Sequence, residues 1–129
     1  MRIVRFGQAQ RCEPEAGWRR ASLCNQEPIS VEYFEKPAGH ASPVHQHPNA
    51  QLLIVLEGRL VITTMEGEEH VLDEHDAAFI PADEPHAVTN PLEKPSAGLD
   101  IFVPGRSFDF WLKRKQSQPP PLPKKGNRR

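Results

Sequence analysis

The chain has 129 residues and a mass of 14.6 kDa, which fits one domain and is hard to divide into two. Hydrophobic residues make up 37% and no apolar run approaches the ~20 residues of a membrane span, so we expect a globular chain without a membrane partner. The net charge of −1 hides an asymmetry: residues 113–129 carry seven basic residues and no acid, whereas residues 1–112 carry nine basic and 17 acidic residues. The excess of acidic residues in 1–112 argues against a nucleic-acid-binding domain.

The N-terminal sequence and the cysteines bear on the compartment. Residues 1–6 lack the apolar stretch of a secretory signal, so we expect a cytoplasmic protein. Two cysteines, Cys12 and Cys24, are too few for a disulfide framework and too far apart for a CxxC motif.

Short runs with strand character fill the body of the chain between prolines and glycines, whereas residues 7–27 show little pattern. The predicted strands are 30–36, 51–56, 59–65, 69–72, 77–80, 86–89 and 99–103. Residues 107–113 fit either one helical turn or a last strand. Strands at this close, even spacing predict a sandwich or barrel.

The C-terminal tail differs from the body in composition. Residues 113–129 are basic and include Pro119, Pro120, Pro121 and Pro123. This composition predicts a disordered tail. The domain prediction is therefore one all-β domain over 1–112 followed by the tail.

Three histidines and one glutamine form a candidate metal site. His45 and His47 are two residues apart, so in a strand both side chains project from one face. Gln51 lies at the start of the next predicted strand and offers an amide oxygen as a third ligand. His86 begins a later strand and would close the site from across a barrel. An HxH pair alone is weak evidence, because exposed histidines are common.

Asp100 stands in an otherwise apolar predicted strand, where a carboxylate is costly to bury unless it is paired or near a metal. If Asp100 points into a barrel, so does Phe102, while Ile101 points outward. Arg106 could clamp a substrate carboxylate at the barrel mouth. The alternative is a surface Asp100 on an edge strand, paired with Arg106, and the spacing alone does not decide between them.

The spacing of these residues resembles the two sequence motifs of the cupin family. The first motif is matched by Gly39, His45, His47, Gln51 and Gly58, with Gln51 where most cupins have Glu. The second is matched by Pro81, His86 and Asn90, with His75 and Asp83 in place of the usual glycines. The resemblance covers roughly residues 25–112. It implies a double-stranded β-helix, or jelly-roll barrel, that holds one divalent metal ion.

A ligand set of three imidazoles and one amide is neutral, so a bound ion keeps nearly its whole charge and is a stronger Lewis acid. Such ligands permit iron, manganese, nickel, cobalt, copper or zinc. Four protein ligands on an octahedral ion leave two positions for a bidentate ligand such as a hydroxy or keto carboxylate. His40, in the turn before the first motif, is a candidate pocket residue.

This sequence resembles, in one further sequence motif, a subgroup of small cupins whose metal ligands are three His and one Gln. Those cupins convert 4,5-unsaturated uronates from pectin and alginate into open-chain keto forms, and they have an Asp-x-Phe-x-x-x-Arg string. Here it is Asp100, Phe102 and Arg106. The resemblance implies that Asp100 is the acid/base, Arg106 the carboxylate clamp and Phe102 a pocket wall. The activity implied is that of an isomerase in carbohydrate metabolism, acting on a sugar acid.

Other functions stay open at this point. A three-His cupin site with iron or copper also suits a dioxygenase of small diketones or phenols. A non-catalytic binding or sensor cupin, or a storage barrel, is a further alternative. Small cupins commonly pair through their outer sheet and N-terminal strand. Residues 1–6 alternate enough to add a strand to a neighbouring sheet, so we predict a homodimer. Trp18, Phe108 and Trp111 would then cover the interface or belong to the core.

Overall fold

The computed structural model describes residues 1–117, with side chains up to residue 114. After a 3₁₀ turn at Phe6–Gln8, the chain forms a series of strands and one helix. These elements are β1 (Arg11–Glu15), β2 (Trp18–Asn25), β3 (Ser30–Lys36), β4 (Ala50–Glu57), β5 (Leu60–Thr64), β6 (Glu69–Leu72), β7 (Ala77–Ile80), β8 (His86–Thr89), β9 (Ser96–Val103) and α1 (Asp109–Ser117).

The strands form two antiparallel sheets. The larger has the order β1-β2-β3-β9-β4-β7 and the smaller has the order β6-β5-β8. β9 lies between β3 and β4, so residues on its inner face are covered from both sides. The core between the sheets is a cluster of apolar side chains. It contains Phe34, Leu53, Val55, Leu60, Ile62, Ile80 and Val88.

The inner face of β3 is unusual because it is mostly polar. Burial alternates strictly along the strand, as a period of two requires, and the buried positions are Ser30, Glu32, Phe34 and Lys36. A barrel wall that buries two charged groups needs partners for them on the neighbouring strands. This wall lines the site described below.

Seven of the strands within residues 1–117, β3 to β9, lie where the sequence predicts them. The weak patterning of residues 7–27 left no element predicted there, but β1 and β2 form in this segment. Of residues 107–113, those from Asp109 onward belong to the helix α1 rather than to a last strand, and α1 crosses the predicted domain boundary at 112. Residues 118–129, most of the predicted disordered tail, lie outside the described residues.

Helix α1 packs against β1 and β2 through an aromatic cluster on the face that also carries Arg20. Trp18, Phe108 and Trp111 are buried there beside Cys12. Of the two alternatives for these aromatic residues, the core is therefore the one observed. Within residues 1–117, no helix is long and apolar enough to cross a membrane.

Candidate metal centre

Three imidazoles from two segments, one with His45 and His47 and one with His86, meet at one end of the barrel. The backbones of His45 and His86 form a bridge in which each N–H donates to the other's carbonyl at 2.9 Å. His47 follows two residues later, just before β4. The ligand atoms of the three rings lie within 4.8 Å of one another. The predicted set of histidines is thus brought together by the fold.

Each imidazole is oriented by a backbone carbonyl. Nδ1 lies 2.9 Å from the Pro43 carbonyl in His45, 2.9 Å from that of Asn49 in His47, and 2.8 Å from that of Glu84 in His86. Since a carbonyl only accepts, Nδ1 carries the proton in each ring and Nε2 presents a lone pair. This is the arrangement by which proteins orient metal-binding histidines.

Two observations test whether a cation fits between these rings. The Nε2 atom of His86 is buried and has no hydrogen-bond partner. The Nε2 atom of His47 lies 3.0 Å from Oε1 of Gln51, although both atoms are acceptors. Two ligands about 2.1 Å from one ion and at right angles would lie about 3 Å apart. The residues therefore fit a divalent metal ion.

The protonation of the histidines agrees with this fit. Burial lowers the pKa of His86, and the neighbouring imidazole of His47 lowers it further. His45 is exposed as a whole residue, but its ring packs 4.4 Å from that of His86, and partial burial lowers its pKa also. Both shifts favour the neutral imidazole, which is the form that binds metals.

Gln51 connects the histidines to Asp100. Its Nε2 donates to Oδ1 of Asp100 at 2.7 Å, which turns its Oε1 toward His47. Asp100 is 6% exposed, and its Oδ2 accepts from Nη2 of Arg20 at 2.6 Å. Phe102 is buried on the same face of β9, as the alternation predicts. The alternative of a surface Asp100 paired with Arg106 is wrong, because Asp100 is buried and its ion pair is with Arg20.

Arg106 is held between aromatic rings at the mouth of the barrel. Its guanidinium carbon lies 4.2 Å from the ring centroids of both Phe102 and Phe110. Nη2 lies 3.6 Å from Oε1 of Glu32, and burial lowers the pKa of Arg106. This stacking fixes the plane of the guanidinium, which suits a carboxylate ligand that binds through both oxygens.

Glu32 is the second buried carboxylate beside the site. It is 1% exposed, and its Oε1 accepts from Nε of Arg20 and from the indole N–H of Trp111, each at 2.8 Å. Arg20 therefore pairs with both carboxylates, Glu32 and Asp100. The helix α1 contributes to this network through Trp111 and Phe110.

A cavity of about 200 Å³ opens between the imidazoles and this network. Its lining includes His45, His47, Gln51, Asp100, Phe102, Arg106, Arg20, Lys36 and Trp18. The predicted pocket residue His40 is not part of the lining among the described residues. It stacks on Trp18 at 4.7 Å and its Nε2 lies 3.0 Å from Oε1 of Glu15, and both of these residues line the cavity.

Comparison with known proteins identifies the family. Residues 32–102, more than half of the chain, match the cupin domain family. The chain is a cupin. No curated protein matches the sequence significantly.

Solved structures confirm the jelly-roll fold of this cupin. An RmlC-like cupin from Shewanella frigidimarina is 24% identical with a TM-score of 0.75, over 85% of this chain and 96% of that one. KdgF from Halomonas is 23% identical with the same TM-score, over 85% and 98%. The polyketide cyclase RemF from Streptomyces resistomycificus is 21% identical with a TM-score of 0.68, over 84% and 85%. At these identities the likeness establishes the fold.

Several residues at the site were not predicted to belong to it: Trp18, Arg20, Lys36, Phe110 and Trp111 line the cavity, and Glu32 pairs with Arg20. The sequence gives little indication of the charged residues in this set, because a charged residue in a strand usually faces solvent. Asn90, the last residue of the second motif, is fully buried but is not at the metal centre. Its amide donates to the carbonyls of Lys36, Pro37 and Lys94 and so fixes the turn after β8.

Proposed function

We propose that this cupin holds one divalent transition metal ion at His45, His47, His86 and Gln51 and opens the ring of 4,5-unsaturated uronates. The observation that carries the proposal is the position of Gln51, whose Oε1 lies 3.0 Å from Nε2 of His47 and whose Nε2 donates to Asp100 at 2.7 Å. It puts a carboxylate that can move a proton beside the candidate ligands, in one cavity with Arg106. The resemblance of the Asp100–Phe102–Arg106 string to the uronate-linearising cupins supports the same assignment.

The ion, when bound, would supply Lewis-acid polarisation of the substrate's oxygen atoms. Arg106 binds the substrate carboxylate and Phe102 shields one face of the sugar ring. Asp100 takes the proton of the anomeric hydroxyl as the bond from C1 to the ring oxygen breaks, which leaves an aldehyde at C1 and an enolate at C5. Asp100 then returns a proton to C4, and the enolate becomes a ketone. The atoms of substrate and product are the same, so no redox partner is needed.

The network around Asp100 suits a group that exchanges a proton. Arg20 binds one oxygen of Asp100 in a 2.6 Å ion pair, and the amide of Gln51 donates to the other oxygen. Gln51 also keeps the carboxylate at a fixed distance from the candidate ligand His47. Precise placement of this kind is what general acid–base catalysis requires.

The test is NMR of a 4,5-unsaturated galacturonate incubated with metal-loaded protein, beside a chelator-treated sample. We expect the alkene proton signal to disappear faster than the spontaneous rate. Asp100→Asn should lower the rate by a factor of about 100 or more, because it removes the acid/base. Asp109→Asn, which changes an exposed acid at the start of α1, is the matched control and should keep the rate.

Two outcomes would contradict the proposal. An unchanged spontaneous rate would reject ring opening of this substrate. Oxygen uptake in the same sample, together with loss of activity without air, would favour the dioxygenase alternative. A cytoplasmic location and a homodimer remain predictions from the sequence and family resemblance.

A further inference from the structure

The buried charges of the cavity do not balance within the protein. Two carboxylates, Glu32 and Asp100, are matched by two guanidinium groups. Arg20 lies 2.8 Å from Glu32 and 2.6 Å from Asp100, and Arg106 lies 3.6 Å from Glu32. These four groups form one compensated network. Lys36 is the further cation on the inner face of the same wall.

Lys36 is buried without a carboxylate partner. The residue is 3% exposed, and its Nζ lies 4.7 Å above the ring of Trp18. No carboxylate within residues 1–114 forms an ion pair with this ammonium, and Asp100 and Glu15 attract it only from a greater distance. Burial and the neighbouring charge of Arg20 lower the pKa of Lys36 to about 8, so the ammonium form still predominates at pH 7.

Lys36 and the metal centre lie toward opposite ends of the inner wall. On β9, Phe102 is opposite Gln51 of β4, whereas Ser96 is opposite Lys36 of β3. Six residues along a strand separate these positions on the backbone. The side chains narrow the gap between the two cations, because Lys36 contacts Trp18, whose ring lies 5.2 Å from that of Trp111, and Trp111 lies 5.4 Å from the guanidinium of Arg106. Since Lys36, Gln51, His45, His47 and Arg106 line one cavity, a ligand there meets a cationic group at each end.

A buried charge is costly unless it is paired, and no ion pair compensates this one in the part of the chain whose side chains the structure describes. We propose that Lys36, supported by Trp18, is a second anion subsite, which takes an oxyanion of a ligand whose other carboxylate binds at Arg106. The ligand class is then a hydroxy acid or sugar acid with two anionic groups, one more than the single carboxylate of a 4,5-unsaturated uronate, so the inference extends the ligand range of this cavity beyond that substrate. This inference rests on the proposed function for the placement of the first carboxylate.

The test uses two non-reacting sugar acids that differ by one charge. Galactarate carries two carboxylates and galactonate carries one, on the same open chain of six carbons. We expect calorimetry on the metal-loaded full chain to give about tenfold tighter binding of galactarate, as one added charge-assisted contact implies. In Lys36→Met the preference should fall to within about twofold, while Lys94→Met, at an exposed lysine, should keep it.

A second measurement needs no variant. Acetic anhydride labelling of the wild-type chain, read by peptide mass spectrometry, should show Lys36 protected by galactarate several-fold more than by galactonate. Equal affinities for the two acids, a preference that survives in Lys36→Met, or equal labelling would each overturn the subsite. None of these measurements depends on ring opening, so failure of the proposed activity and failure of the subsite give different results.

Discussion

Lys36 makes the fold less stable at neutral pH than an apolar residue there would. Its pKa falls from 10.5 to about 8 on folding, because of burial and Arg20, against smaller opposite effects of Asp100 and Glu15. Between about pH 8 and 10.5 the unfolded chain therefore binds the extra proton, and stability contributed by this group rises with pH in that window. Below pH 8 the cost of the buried charge is fully present.

Lys36→Met should accordingly raise the free energy of unfolding at pH 7, by up to about 3 kcal/mol, because a methionine fills similar space without a charge. The gain should shrink from about pH 8 to 10.5. Urea unfolding at pH 7 and pH 10 measures both values, with Lys94→Met as the control. A variant less stable than wild type at pH 7 would contradict the assignment of Lys36 as an unpaired buried charge.

Two turns in the second motif hold non-glycine residues in left-handed backbone geometry. His75 has φ of 75° and Asp83 has φ of 64°, at the positions where the cupin motif usually has glycine. The fold therefore keeps the turn geometry with residues that are less suited to it. Asp tolerates this region better than His, since its short side chain can bond locally.

His75→Gly should raise the free energy of unfolding by about 0.5–1 kcal/mol, after the greater flexibility of glycine in the unfolded chain is subtracted. Asp83→Gly should give a smaller gain. Gly67→Ala is the converse control, because Gly67 has φ of 90° and a Cβ there meets no atom within 4 Å. It should destabilise through backbone strain alone. Thermal and urea unfolding give all three values, and a loss of stability in His75→Gly would contradict the strain argument.

The strands were predictable where apolar residues alternate and turn residues separate them, as in β4 to β9. β1 and β2 were not, because β2 buries Arg20 and Ser22 beside Trp18. The partners that make Arg20 a core residue are Glu32 and Asp100, 12 and 80 residues away. A local sequence pattern does not show contacts between residues that are so far apart in the chain.

The same distinction applies to the site. His45, His47, Gln51 and His86 stand at spacings that a motif preserves, so they were found from the sequence. Lys36 was missed because a lysine at the end of a strand is normally solvated. Helix α1 was left undecided because its inward aromatic residues fit a strand equally well.

At the scale of the whole molecule, the candidate metal centre joins the two sheets. Gln51 belongs to β4 of the larger sheet and His86 to β8 of the smaller one. Unfolding separates these segments, so an ion bound to both stabilises the folded barrel by mass action.

Adding a divalent metal to chelator-treated protein should therefore raise the unfolding temperature, with about 2.7 kcal/mol of stabilisation at 100 times the dissociation constant. His86→Ala should remove most of this shift, because the loss of a ligand lowers affinity by about 100-fold or more. His70→Ala, at an exposed histidine next to Glu68, should retain it. Calorimetric scans with and without metal measure the shift, and an equal shift in both variants would place the metal elsewhere.

The segment that ends β9 is held by the loop between β2 and β3. Gly105 donates its backbone N–H to the Glu27 carbonyl at 2.8 Å, and Arg106 donates its own to Oγ of Ser30 at 2.9 Å. A Cβ on Gly105 would collide with the carbonyl oxygen of Gln26. The guanidinium of Arg106 is thus positioned by the loop between β2 and β3 and the start of β3, which contribute none of the candidate metal ligands. Changes in the length of that loop would give evolution, or an engineer, a way to alter ligand preference while the metal ligands stay in place.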